Sequence, residues 1–139
     1  MTVKTFHLQF NTQGNGHTLD ITGDVARSIR ESGLQNGIVT IFTPGSTSAL
    51  TTIEFEDGAV SDFQRLFAEI APENREYRHN LRWQDGNGHS HIRAALLGAS
   101  LTVPFTTGKM LLGTWQQIIY IDFDNRARNR QIVCQIMGE

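Results

Sequence analysis

The chain is poor in punctuation: one cysteine, three prolines, and no apolar run near the roughly 20 residues that a membrane span needs. A lone Cys134 excludes an internal disulfide, and its apolar neighbours mark it as a buried, inert thiol and not a nucleophile. There is no Pro- or Ser-rich linker, no repeat and no low-complexity tract, so one domain over residues 1–139 is expected. Charge of one sign is also scarce. A formal net charge of −2 gives no electrostatic basis for nucleic acid or an anionic membrane as the main partner. The opening MTVKTFHLQF alternates polar and apolar and lacks the charged and apolar regions of a signal peptide, so the cytoplasm is the expected location.

What the chain does have is hydrophobic period. Phe6, Leu8 and Phe10 alternate along an expected strand Thr2–Phe10, NTQGNG turns the chain, and Thr18–Thr22 resumes as a strand. Val25, Ile29 and Leu34 suit a helix from about Asp24 to Ser32, ended by Gly33. Gly37–Phe42 and Ser48–Phe55 read as strands about a Pro44-Gly45-Ser46 turn. Val60, Phe63, Leu66, Phe67 and Ile70 recur at helical spacing up to Pro72. Residues Glu73–Gly88 have no period and read as a long polar loop, a type that is usually functional or disordered. His89–Leu97 reads as a helical turn or short helix, and Leu101–Phe105, Gly113–Phe123 and Arg130–Met137 as three closing strands. Two helices among such strands, in the order ββα-ββα-βββ, predict an α+β fold with two packed sheets. Ile118–Ile121 is apolar on both faces and needs cover on both.

Ligand chemistry concentrates in Asp85-Gly86-Asn87-Gly88-His89-Ser90-His91, with His79 just upstream. Imidazoles bind borderline metals, and carboxylate and amide oxygens bind hard cations or orient water. The two glycines permit positive φ and close approach of the backbone. His79, Asp85, Asn87, His89 and His91 therefore form a candidate divalent-metal site, Mg²⁺ or Zn²⁺, or a direct substrate contact; the spacing matches no standard zinc pattern. His89 and His91 share a face on a strand but diverge by about 200° on a helix.

Other clusters have two readings each. Glu54 and Glu56 alternate on the expected strand, where they would hold Mg²⁺ through water or stand as solvated strand-end charges. Ser46 and Thr47 offer an anion cradle without the Lys of a P-loop, or a plain hairpin turn. Arg126, Arg128 and Arg130 alternate after Asp122 and Asp124, as a phosphate clamp or as edge and intersubunit charges. Trp115 and Gln116 would contact a ring-shaped ligand, or belong to core or interface. His7 and His17 read as surface residues.

The stretch Ser100–Ile118, with Pro104, Gly108 and the Gly113-Thr114-Trp115-Gln116 block, resembles the signature of the YjbQ-like, or secondary thiamine-phosphate synthase, family. Tyr77-Arg78-His79, Asp85-x-Asn87-x-x-Ser90-His91-Ile92, Leu97-Gly98 and the strand pair around Ser46–Glu56 add to the resemblance, which runs from Ile38 to Gly138. It implies a ββαββαβββ sandwich fold and a homotrimer. It also implies a condensation of hydroxymethylpyrimidine pyrophosphate with thiazole phosphate that releases pyrophosphate. Chemistry of that kind needs a divalent cation and guanidiniums for the leaving charge. His79, Asp85 and His91 would then be the catalytic centre, with Glu54 or Glu56 as outer ligand. Arg126 and Arg128 would meet phosphate oxygens, and Ser46 and Thr47 a second phosphate. The rival expectations are a metal- or small-ligand-binding protein without efficient catalysis, and a metal-dependent hydrolase.

Overall fold

Strict alternation places Leu8, Val39, Ile41, Val103, Ile132, Cys134 and Ile136 in the core, because every second residue of a strand faces the same way. In the computed structural model, which describes residues 1–139, these side chains line the inner face of a five-stranded antiparallel sheet. Its order is β1 (Thr2–Thr12), β8 (Arg128–Gly138), β3 (Gly37–Phe42), β5 (Ser100–Thr106) and β6 (Lys109–Met110). A second sheet is ordered β2 (His17–Asp20), β7 (Gln117–Asp122) and β4 (Ser48–Ile53). Leu50, Ile118 and Tyr120 of this sheet and Val25 and Ile29 of α1 (Thr22–Ser32) complete the same core.

The central strand of the smaller sheet is covered on both sides. Ile118 and Tyr120 enter the core between the sheets, whereas Ile121, with Phe123, packs on Phe67 of α2 (Asp57–Ile70) and Ala94 of α4 (Gly88–Leu97). The double-sided apolar pattern is thus satisfied by a sheet–sheet–helix stack within one chain. The fold is α+β, with eight strands where seven were expected and four helices, of which α1, α2 and the short α4 answer the helical stretches read from the sequence. The extra helix α3 (Arg78–Trp83) lies inside the stretch read as a loop, and β6 makes a short hairpin with β5. No helix is long and apolar enough to cross a membrane.

Two boundaries bear on the site. β4 stops at Ile53, and Glu56 becomes the N-cap of α2, its carboxylate accepting from the Ala59 amide. Glu54 and Glu56 therefore do not alternate along a strand. β7 begins at Gln117, which leaves Trp115 in a turn and 72% exposed. Cys134 is fully buried, and burial pushes its thiol up to about 11, as an inert core residue requires.

Candidate metal centre

Three short devices assemble the site. Gly86 takes φ +66°, a left-handed conformation that side chains disfavour, and turns the chain after Asp85. Gly88 opens α4 against Tyr77, where a Cβ would come within 2.5 Å of the Tyr77 Cβ. The Asn80 side chain accepts from the Gly88 amide at 2.8 Å and ties α3 to the start of α4. As a result His79 of α3, Asp85 of the turn and His91 of α4 converge, with one donor atom from each lying within 4.8 Å of the others.

The details suit a metal. The His79 and His91 rings are 4.2 Å apart between centroids. His79 Nδ1 lies 3.3 Å from Asp85 Oδ1, but not along an N–H direction, and it is buried without a hydrogen-bond partner. An unpartnered buried nitrogen beside a carboxylate and a second imidazole forms a donor set of the kind that divalent ions take. Burial lowers the His91 pKa, and the neighbouring His79 lowers it further, so the ring is neutral near pH 7 and able to ligate. The Ser46 backbone carbonyl opposes that shift without reversing it. A tetrahedral ion with bonds of about 2.0–2.1 Å wants donors about 3.3 Å apart, so a modest contraction of the trio would hold one. Two imidazoles and one carboxylate leave at least one coordination position open.

The other expected ligands stand elsewhere. Helical geometry sends His89 to the opposite side of α4, where it is 1% exposed beside Tyr77. Asn87 has both ends of its amide engaged: Nδ2 donates to Asp124 at 3.2 Å, and Oδ1 accepts from the Asn125 amide at 3.1 Å. Glu54 and Glu56 lie outside the trio for the reason given above. Thr47 donates to Asp124 at 2.9 Å and accepts from Arg130 at 2.7 Å, and Arg128 pairs with Asp124 at 3.3 Å. Arg126 is exposed, and its side chain has no ion-pair partner. Gln116 binds the Gly113 amide and Thr52 and lines a separate groove under Leu111 and Leu112. Ser46 alone of the expected phosphate contacts shares a wall with the trio: Gly45, Ser46, Ser48, His91, Ile92 and Ala95 line an open cleft of about 520 Å³.

Beneath the site runs a buried network that the spacing of residues did not single out. Asp122, fully buried, takes a bidentate pair from Arg130 at 2.8 and 2.9 Å, and a hydrogen bond from Thr12 at 2.5 Å. Burial by itself would raise the Asp124 carboxyl. Donation from Thr47, Asn87 and Arg128, with the Arg128 charge, outweighs it and holds the carboxyl below the usual range. Since Asp124 anchors Asn87, this network sets where α4 begins.

These shifts fix a pH profile for stability. Burial, then Arg93, lowers the His89 pKa, so below about pH 6.5 the unfolded chain takes up this proton before the folded one does. His91 shifts the same way. Stability is therefore full above about pH 7, falls from about 6.5 downward, and falls again below about 3.8 as Asp124 is protonated. Urea midpoints measured on metal-free protein should trace that two-step decline; an unchanged midpoint between pH 7.5 and 5 would remove the histidine step.

A family model described as UPF0047 protein YjbQ-like matches residues 6–139. A UPF0047 protein of Methanothermobacter thermautotrophicus is 39% identical over 100% of this chain and 95% of its own length. The UPF0047 protein YugU of Bacillus subtilis is 34% identical, covering 94% of this chain and 97% of its own. Among solved structures, a YbjQ-like protein of unknown function from Sulfolobus solfataricus P2 superposes with a TM-score of 0.89. It is 33% identical and covers 99% of this chain and 100% of the other.

Proposed function

The chain belongs to the YjbQ-like UPF0047 family, and we propose that it is a metal-dependent enzyme of the thiamine-phosphate synthase type. The observation that carries the metal reading is the trio His79, Asp85 and His91, with a His79 nitrogen buried and unpartnered. These three residues would hold a divalent ion, Mg²⁺ or Zn²⁺. Such an ion, when bound, supplies Lewis-acid stabilisation of charge on a pyrophosphate leaving group. The chain's own residues do the rest. Neutral His91 keeps its lone pair for the site, and the cleft of small side chains beside it accepts the flat ring of a substrate. Arg126, exposed and uncommitted, meets phosphate oxygens, while Thr47 and Arg128 act through Asp124 to hold the site's floor.

Self-association belongs to the same reading. The outer face of the five-stranded sheet carries Val3, Met137 and Ile38 in one cross-strand row, 52%, 36% and 40% exposed, with Phe42 further along β3. Exposed apolar sheet faces of this kind are buried between subunits, and a homotrimer meets that need.

The rival reading, a metal- or small-ligand-binding protein without efficient catalysis, has one observation in its favour. Thr47 and Arg128, expected to grip phosphate, are engaged with Asp124 instead. The test is to supply purified protein with hydroxymethylpyrimidine pyrophosphate, thiazole phosphate and Mg²⁺, then measure thiamine phosphate and pyrophosphate. Product from the wild type, and at least about 100-fold less from His91→Ala, is the expected result. Product at equal rate from His91→Ala overturns the site. Metal retention without product, and without calorimetric binding of either phosphate ester, transfers the case to the rival.

A further inference from the structure

On the far side of α4 lies an open cleft of about 680 Å³, where the end of α2, the Pro72–Asn74 turn and the Asn15-Gly16 turn meet. Its floor is apolar, with Phe67 and Phe123 in an edge-to-face pair 4.9 Å apart. Its polar groups are Arg93, Glu73, Gln64, Asn15 and Asn74. Arg93 is the unusual member. Its Nε donates to the Ala71 carbonyl at 3.0 Å, while its two terminal nitrogens have no hydrogen-bond partner and form no salt bridge with any carboxylate.

Capping the last turn of α2 explains the Nε bond but not the planar fork left open to the cleft. A guanidinium with both terminal nitrogens free matches a phosphate or carboxylate in bidentate fashion. Glu73, in the same wall, adds an acceptor that suits a hydroxyl or amine on the same molecule. Arg93 and His91 are two positions apart, so they point about 200° away from each other around α4. The cleft is therefore separate from the metal centre and does not depend on it.

We propose that the Arg93 cleft is a second binding site, taking a small ligand that pairs an anionic group with a hydrogen-bond donor. The anion is a phosphate or a carboxylate held by the Arg93 fork. The donor faces Glu73, and the apolar part lies over Phe67 and Phe123.

The experiment is an amide and Arg Nε–Hε NMR titration of the full chain, first with inorganic phosphate and then with acetate. At least one anion should shift Arg93, Gly16 and Asn74 saturably, with a dissociation constant of about 10 mM or tighter. Whichever binds more tightly identifies the source of the anion. Arg93→Gln should weaken binding at least tenfold, and Arg93→Lys, which keeps the cap and the charge but loses the fork, should weaken it by less. His91→Ala should leave it unchanged, which separates this site from the metal centre. Failure of both anions to saturate, equal binding by Arg93→Lys and wild type, or loss of binding in His91→Ala would each overturn the proposal. Should Arg93→Gln fail to fold, the lysine variant and the location of the shifts still decide it.

Discussion

His91→Ala should abolish metal retention while barely moving stability, and His89→Ala, two residues away, should do the reverse. Outer-sphere partners of a metal site are by themselves worth about 10–100-fold in affinity, so deleting one of three ligands should cost at least about 100-fold. His91 is half-buried at the mouth of a cleft, and its removal should change folding stability by less than about 1 kcal/mol. His89 is 1% exposed on the buried face of α4, beside Tyr77, and truncation there leaves a cavity costing about 1–3 kcal/mol. It should keep its metal within a few-fold, because its ring faces away from His79 and Asp85. Metal content of the purified variants by elemental analysis, with urea unfolding of each, checks both halves. If His89→Ala loses the ion and His91→Ala retains it, the trio has been assigned to the wrong face of the helix.

That contrast also shows where the sequence stopped short. Two histidines at i and i+2 share a face on a strand and part on a helix, and Gly88–Leu97 has too few apolar residues in its first turn to settle which applies. α3 was invisible because none of its six residues is buried, so it has no hydrophobic period to read. By contrast, the strands around Ile41 and Cys134 were legible, since their burial follows the alternation of their apolar residues, whereas α2's apolar stripe buries only Phe67 and leaves Leu66 and Ile70 exposed. Glu54 and Glu56 misled for a local reason: alternation says nothing about where a strand ends, and Glu56 leaves the sheet to cap a helix. Arg130 held an unused signal. It has the same parity as Ile132, Cys134 and Ile136, whose burial defines the inner face of β8, and its side chain shares that face and pairs with Asp122. Arg126 and Arg128 share that parity but stand before or at the open end of the strand, where they stay exposed. Trp115 followed the opposite error, an aromatic placed on a strand that starts two residues later.

Replacing that inward arginine with methionine should be the most damaging single change to the fold, at about 3–5 kcal/mol by denaturant unfolding at neutral pH. The reason lies less in the lost attraction than in what remains. Asp122 is fully buried and would keep only the Thr12 hydroxyl and the Asp124 amide as donors. Asp124, 2% exposed and 3.6 Å from the same guanidinium, would keep Arg128 but lose the cation that it shares with the buried Asp122 carboxylate. Arg130→Lys should recover part of the loss, because it restores a charge but not the two-pronged contact with both Asp122 oxygens. A cost below about 1 kcal/mol would mean that Arg128 and the hydroxyl and amide donors hold Asp122 and Asp124 without it. The same variant reaches the metal centre indirectly. Thr47 and Asp124 lose their shared partner, Asn87 loses a fixed acceptor, and the start of α4 that presents His91 is no longer pinned.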